Sequence, residues 1–171
     1  MGKFEQIRNK VTSLEEMAQR IRDWKQAGEK VVFTNGCFDI LHEGHVTYLS
    51  KAADLGSRLV VALNTDASVR RQGKGPERPI NPESSRALLI AALGFVDGVV
   101  LFDEDTPLHV IETLLPSVLV KGADYDAAET NPVDKKYIVG REIILENGGE
   151  VKTVSLVEGF STTNIVKKLK G

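Results

Sequence analysis

Short apolar runs rich in β-branched residues recur along the chain at residues 30–34, 58–64, 97–102, 117–121 and 150–156. The run at 58–64 (RLVVALN) is almost continuous, which is typical of a strand buried on both faces of a parallel sheet. Between the runs, apolar residues return every three or four positions, as they do on one face of a helix. This alternation predicts an α/β fold, a doubly wound parallel sheet of about five strands in a single domain.

Capping signals bound the first predicted helix. Ser13 and Glu16 form a capping box, the residues that follow are apolar at helical spacing, and Gly28 ends the pattern. Residues 1–29 are therefore expected to form an N-terminal helical extension, followed by the main domain at 30–171.

Later helices are predicted from the same kinds of signal. They cover residues 44–55, 82–94, 107–115 and 135–146 and the chain after residue 163, with Asn81 and Thr106 as caps before Pro82 and Pro107. Residues 65–81 combine Arg70, Arg71, Lys74 and Arg78 with glycine and proline, which favours a mobile basic loop.

Composition narrows the classes of function. Of 171 residues, 42% are apolar and 27% are charged, the net charge is -2 and the pI is about 6.0. This balance predicts no general attraction to nucleic acid or to an anionic membrane, so an anion site must be local. Cys37 is the only cysteine, which favours a reducing compartment. No apolar run suits a signal peptide or a membrane span, so a cytoplasmic protein is expected.

The segment 34–45 (TNGCFDILHEGH) joins the first predicted strand to a helix. Gly36 lets the backbone approach a ligand closely, and His42 and His45 can turn both imidazoles to one side of the helix start. Parallel sheets bind ligands at the carboxyl ends of their strands, where helix N-termini offer N–H groups to anions. This segment is therefore predicted to bind phosphate.

A second segment, 159–163 (GFSTT), opens the last predicted helix with hydroxyl and N–H groups, and it too is predicted to bind phosphate. Nucleotidyl transfer spreads negative charge over non-bridging oxygens, so catalysis needs positioning and electrostatic stabilisation rather than a nucleophilic side chain. The two histidines can donate hydrogen bonds to such a phosphate, and the basic loop can close over pyrophosphate.

Simpler interpretations of these residues stay open. His42 and His45 can merely cap a helix, and with Cys37 they can be counted as three of the four ligands of a zinc site. Cys37 can pair with a histidine as a nucleophile, although its apolar neighbours favour a buried, inert thiol. The basic side chains of 65–81 can form a solvated face, and residues 103–105 a solvated turn.

Together the motifs resemble the HxGH nucleotidyltransferases, the cytidylyltransferase-like superfamily with a Rossmann-like fold. The resemblance covers residues 31–170 and rests on GCFDILHEGH at 36–45, NTD at 64–66, Arg86, VKGADY at 120–125 and GFSTT at 159–163. It implies that the chain is an enzyme that transfers a nucleotidyl group.

Within this family, TNGCFDILHEGHVTYL, RPINP, DEDTP and GFSTTNIVKK are most similar to the adenylyltransferases of bacterial heptose biosynthesis. The resemblance implies transfer of AMP from ATP to D-glycero-β-D-manno-heptose 1-phosphate, which gives ADP-heptose and pyrophosphate for the lipopolysaccharide core. The chain resembles the standalone form, which implies a separate heptose 7-phosphate kinase. Two alternatives are a cytidylyltransferase acting on glycerol 3-phosphate or another phospho-alcohol, and a nucleotide-binding module without catalysis.

The resemblance also implies roles for individual residues. His42, His45 and Lys74 are implied to be catalytic, and Asp39, Asp66 and Lys121 to bind the substrate. Nucleotide binding is implied for Asn35, Gly36, Cys37, Phe38, His42, His45, Arg86, Lys121, Gly122, Asp124, Ser161 and Thr162, with Arg86 and Asp124 at the base.

Magnesium is implied as the ion that accompanies ATP, and no protein ligand for a metal can be named. The family and the apolar N-terminal helix favour a homodimer, while neither nucleic acid nor a membrane is expected as a partner. The polar segment 127–146 is longer than in fused relatives and is expected to border the sugar site or a subunit interface.

Overall fold

A computed structural model describes residues 1–170 and contains a five-stranded sheet in the order β3-β2-β1-β4-β5. Every pairing in the sheet is parallel. The strands are β1 (Val31–Gly36), β2 (Arg58–Asn64), β3 (Gly98–Phe102), β4 (Val118–Gly122) and β5 (Glu150–Val154). The expected doubly wound α/β sheet is confirmed. The strand order changes direction between β1 and β4, the kind of position at which such sheets form a ligand crevice.

Eight helices lie in the described part of the chain: α1 (Lys3–Arg8), α2 (Leu14–Gln26), α3 (Glu43–Ala53), α4 (Asp66–Arg71), α5 (Glu83–Ala91), α6 (Leu108–Leu114), α7 (Arg141–Glu146) and α8 (Thr162–Lys170). The predicted capping box is confirmed, because the Ser13 hydroxyl accepts the Glu16 N–H at 3.2 Å. None of these helices has the length and apolar character needed to cross a bilayer.

The two faces of the sheet bury separate apolar clusters. Val60 and Val61 are neighbours in β2 and therefore point to opposite faces, and both are 0% exposed. One cluster joins Val61 to α3 and α5, and the other joins Val60 to α2 and α6. Burial on both sides explains the continuous apolar run of β2. The N-terminal α2 packs on the sheet through Met17 and Ile21.

The expectation that residues 65–81 form a mobile loop is wrong for their first part. The Thr65 hydroxyl accepts the Ser68 N–H at 3.2 Å and caps α4, so a regular helix follows β2 directly. The glycines and prolines of the segment lie beyond this helix, where they do not interrupt it.

Three other boundaries differ from expectation. Asn81 does not cap α5, because its backbone N–H and side-chain amide both donate to Asp39, and Pro82 takes the cap position. Pro107, rather than Thr106, takes that position in α6. The helix expected over 135–146 is shorter than predicted, because only the part that forms α7 (Arg141–Glu146) is helical.

Candidate active site

Two cavities open side by side at the carboxyl ends of β1 and β4. The histidine cavity has a volume of about 440 Å³, and its lining includes Phe38, His42, Gly44, His45, Gly122, Asp124, Phe160, Ser161 and Thr162. The tyrosine cavity has a volume of about 320 Å³, and its lining includes Gly36, Cys37, Asn64, Gln72, Asp105, Thr106, Tyr137 and Val139. Four residues line both and form a shared wall: Asn35, Lys74, Lys121 and Tyr125.

The two histidines form a stacked pair at the N-terminus of α3. Their ring centroids are 3.7 Å apart and their planes differ by 18°. Nδ1 of His42 accepts the backbone N–H of His45 at 3.4 Å, so a neutral His42 carries its proton on Nε2. That Nε2 is buried and has no hydrogen-bond partner in the described residues. His42 thus has a free donor beside the cavity.

Both imidazoles are neutral at pH 7. Burial lowers the pKa of His42 below its ordinary value. Burial, and secondly the neighbouring His42, lower the pKa of His45 to about 4, against the opposing effect of the Ile40 carbonyl. His42 therefore offers an N–H hydrogen bond to an anion, and the lowered pKa values disfavour positive charge on either ring.

Asp39 belongs to the first loop, residues 34–45, and its side chain is turned into the protein and is 1% exposed. Its carboxylate is paired with Arg78 and accepts the N–H groups of Ile80 at 2.8 Å and Asn81 at 2.9 Å. Burial alone would raise the pKa of Asp39, but these bonds outweigh it and hold the pKa below its usual value. The carboxylate oxygens of Asp39 are thus already engaged by the protein, and the expected contact of Asp39 with substrate stays a prediction.

Arg86 and Asp66 also lie outside both cavities. The Arg86 side chain is 0% exposed and donates to Asp66 Oδ1 at 2.8 Å, to the Cys37 carbonyl at 2.7 Å and to the Asn81 carbonyl at 3.0 Å. The two side chains bind each other behind the loop, and the expected contacts of Arg86 with a base and of Asp66 with substrate stay predictions.

Two lysines stand in the shared wall. Lys121 Nζ lies 3.3 Å from Asn35 Oδ1 and 4.7 Å from the centroid of the Tyr125 ring. Burial lowers the pKa of Lys121 to about 8, against the opposing effect of Asp124. Lys74 Nζ lies 3.4 Å from the sulfur of Cys37. An anion in either cavity would meet these two ammonium groups.

The segment 159–163, the second predicted phosphate loop, contacts the first predicted phosphate loop, 34–45, at Gly44. A Cβ atom on Gly44 would lie 2.9 Å from Cβ of Phe160 and 3.0 Å from the His42 ring, so only glycine allows this approach. The Phe160 and His42 ring centroids are 6.2 Å apart. Ser161 Oγ accepts the Asn164 N–H at 3.0 Å within the start of α8. The structure thus brings the two predicted phosphate loops to one cavity.

Two other arginines of this region pair with carboxylates. Arg78 is buried against Asp39, and Arg71 pairs with Asp103 and with Asp105 at 2.8 Å. Lys74 is the member of the basic group that lines the cavities. The expectation of a solvated acidic turn agrees with the exposed side chains of Asp103 and Asp105, and Asp105 also lies in the wall of the tyrosine cavity.

Cys37 is half-buried rather than fully buried, and its thiol lies 3.2 Å from Gln72 Oε1 in the wall of the tyrosine cavity. The described residues contain no cluster of three or more histidine, cysteine or acidic side chains that could hold a metal ion. The zinc interpretation therefore has no support in this part of the chain.

Sequence reasoning missed most of the tyrosine cavity. Tyr125 ends the VKGADY motif and Asn64 begins the NTD motif, so the motifs could have identified both residues, but no sequence signal pointed to Gln72. Tyr137 reaches the cavity from the segment 127–146, and its hydroxyl donates to Glu142. Of the two roles expected for that segment, the structure places part of it beside the tyrosine cavity.

The two adjoining cavities lie where the strand order of the sheet changes direction. They are bordered by two helix N-termini, a histidine pair and two lysines. This arrangement points to a class of protein, the nucleotidyltransferases. Residues 33–168 match the model of the cytidylyltransferase-like family, and the chain belongs to this family.

Curated relatives and a solved structure agree with this assignment. The chain is 52% identical over 161 residues to the bifunctional protein HldE of Geotalea uraniireducens (strain Rf4), and 53% identical over 157 residues to that of Gluconobacter oxydans (strain 621H). These matches cover 94% and 92% of the chain but 31% of each relative. A lipopolysaccharide core biosynthesis protein from Thermoplasma volcanium GSS1 matches with 32% identity and a TM-score of 0.57, covering 76% of this chain and 98% of that one.

Proposed function

We propose that the chain transfers AMP from ATP to D-glycero-β-D-manno-heptose 1-phosphate and releases pyrophosphate, so that it supplies ADP-heptose for the lipopolysaccharide core. The sequence motifs support this substrate pair, and so do relatives that are about half identical over nearly the whole chain. The observation that carries the reaction type is the convergence of both phosphate loops on one cavity beside a second one.

The nucleotide occupies the histidine cavity. The phosphates lie between the start of α3, where the Nε2–H of His42 is free to donate, and the start of α8, where Ser161 and Thr162 line the wall. Neutral donors held in place stabilise charge that develops on the α-phosphate without needing to reorganise. His42 and His45 are therefore proposed as catalytic residues, together with Lys74.

The acceptor occupies the tyrosine cavity, with its phosphate at the shared wall of Lys74 and Lys121. An oxygen of this phosphate attacks the α-phosphorus and forms the new O–P bond. The bond from the α-phosphorus to the bridging oxygen of the β-phosphate breaks, and its electron pair leaves with pyrophosphate. The attacking oxygen is already anionic, so no general base is required.

We propose that magnesium binds together with ATP. It would neutralise part of the negative charge of the phosphates. Asp124 is a carboxylate in the wall of the histidine cavity, and magnesium commonly takes one or two carboxylates together with phosphate oxygens and water. Removal of the metal by a chelator is expected to abolish turnover, and added magnesium to restore it.

A panel of substrates tests the proposal. Heptose 1-phosphate is incubated with each of the four nucleoside triphosphates, and pyrophosphate release is measured. We expect turnover with ATP, and its absence would contradict the proposal. The same four nucleoside triphosphates are also tested with glycerol 3-phosphate as the acceptor. Turnover only with CTP and glycerol 3-phosphate would support a cytidylyltransferase. Tight ATP binding without pyrophosphate release from any acceptor would indicate a binding module.

The homodimer, the separate heptose 7-phosphate kinase and the cytoplasmic location stay predictions. Sedimentation equilibrium of the purified chain measures the oligomeric state directly.

A further inference from the structure

Arg86 is the largest fully buried side chain in the described residues. A guanidinium in such a place is strongly unfavourable unless it is both paired and hydrogen-bonded. Its partners come from three separate segments: Cys37 after β1, Asp66 after β2 and Asn81 before α5. Arg86 therefore ties together three segments at the edge of the sheet that carries the cavities.

The bond from Arg86 to the Cys37 carbonyl orients the peptide that follows. In a trans peptide the C=O and N–H groups point in opposite directions. With the Cys37 oxygen held 2.7 Å from Arg86 Nη1, the N–H of Phe38 points away from Arg86. Phe38 lines the histidine cavity, whereas Arg86 does not.

Phe38 itself has an unusual backbone conformation. Its φ of +46° lies in the left-handed region, which a bulky residue adopts only when its surroundings impose it. Its ring packs edge-on against His45, with centroids 5.1 Å apart and planes at 65°. The Phe38 ring is therefore part of the packing around the His45 imidazole.

We propose that Arg86 is a positioning residue for nucleotidyl transfer, which acts through the Cys37 carbonyl to aim the Phe38 N–H and the His45 ring at the nucleotide phosphates. Arg86 does this without touching the substrate. Asp66 neutralises the charge of the buried guanidinium, so that the other two nitrogen atoms of the Arg86 side chain keep their hydrogen bonds to backbone carbonyls. This inference rests on the proposed function.

Kinetics of Arg86→Lys separate positioning from base recognition. Lysine keeps the charge but cannot make all three bonds, so we expect kcat to fall about 100-fold, the effect of displacing groups by about 1 Å. The KM for ATP and the ratio of ATP to CTP turnover should each stay within about threefold of wild type. A changed nucleotide ratio would show that Arg86 reads the base and would overturn the proposal, as would an unchanged kcat. Arg22→Lys, on the exposed face of α2, is the matched control.

A second measurement keeps the inference testable if Arg86→Lys fails to fold. Asp66→Asn retains the shape of the partner and removes its charge, and it should show the same loss of kcat with little change in the KM for ATP. Hydrogen exchange then follows the Phe38 amide with and without ATP. We expect ATP to protect this amide in the wild type and to protect it less in the variant, although calorimetry still shows ATP binding.

The outcomes for the two proposals differ. A wild-type chain that transfers AMP to no acceptor contradicts the proposed function, while the exchange experiment still reports on Arg86. Absence of ATP-dependent protection at Phe38 in the wild type overturns the inference about Arg86, whatever the acceptor is.

Discussion

The two phosphate loops sit on the same cavity but are held in opposite ways. The first loop, residues 34–45, is anchored by its own Asp39, which pairs with Arg78, and by Arg86 of α5, and the Asp39 and Arg86 side chains are almost completely buried. The second loop, residues 159–163, leaves Phe160 44% exposed, and α8 behind it leaves Leu169 79% exposed. From this difference in burial we expect the first loop to be more rigid than the second.

This difference matches what each loop is proposed to do. Donors that stabilise a transition state are most effective when they do not reorganise, and buried ion pairs hold the first loop in that way. The second loop is proposed to line the wall beside the phosphates, and its few buried contacts lower the free energy needed for it to move. Four predictions test the contrast, from the largest expected effect to the smallest.

Removal of a donor from the first loop should have the largest effect. We expect His45→Ala to lower kcat by about 10²- to 10³-fold, the usual cost of removing one fixed donor, with the fold retained. Steady-state pyrophosphate release and far-ultraviolet circular dichroism measure the two quantities. His109→Ala, at an exposed histidine of α6, is the control. A His45→Ala enzyme with near-wild-type turnover would falsify the role of the pair.

Removal of the anchor beneath the first loop should cost stability. Asp39→Asn leaves Arg78 buried without its charge partner, which we expect to reduce the free energy of unfolding by about 3 kcal/mol. Because the folded-state pKa of Asp39 is lowered, its contribution is present above the unfolded pKa and is lost as pH falls through the folded value. Urea denaturation at several pH values measures both effects. Asp54→Asn, at an exposed carboxylate, should change little, and an equal change in both variants would contradict the anchoring role.

The shared wall should make acceptor binding dependent on pH. Lys121 in the free enzyme loses its charge as pH rises through about 8, so kcat/KM for the acceptor should fall about tenfold for each further pH unit. Lys121→Arg keeps its charge and should remove this decline, although its absolute activity is lower. A profile from pH 7 to 9.5 measures the effect, with exposed Lys51→Arg as the control. An unchanged decline in Lys121→Arg would assign it to another group.

A change in the second loop should have the smallest effect. Ser161→Ala removes one hydroxyl and its bond to the Asn164 N–H, which we expect to cost about 1 kcal/mol of stability and up to about tenfold in kcat/KM for ATP. Ser155→Ala, in the exposed segment before the loop, is the matched control. A Ser161→Ala loss as large as that of His45→Ala would mean that the two loops are equally preorganised.

The sequence predicted the elements of the sheet well, because their signals are local. The run at 58–64 is β2 to the residue, and the Ser13 capping box lies where it was expected. The motif residues His42, His45, Ser161 and Thr162 could be assigned to phosphate loops, since each lies at a helix start. The length of α7 and the cap of α5 were wrong, because contacts from distant segments decided them.

The same distinction between local signals and contacts with distant segments applies to the site residues. Asp39, Asp66 and Arg86 carry the residue types of a binding site, and the sequence alone could not tell a ligand contact from a contact behind the loop. Their positions were decided when Arg78, Asn81 and Cys37, each distant in sequence from its partner, folded against them.

The first loop shows which features depend on the local sequence and which depend on the tertiary structure. The sequence by itself determined its place after β1, its two glycines and the position of its two histidines at a helix start, because local spacing and helix geometry suffice for these. Only the tertiary structure decided that His42 Nε2 is free, that the pKa of His45 is about 4, and that Lys121 borders both cavities. Burial and charge depend on what lies nearby in space, and neighbours in space come from all parts of the chain.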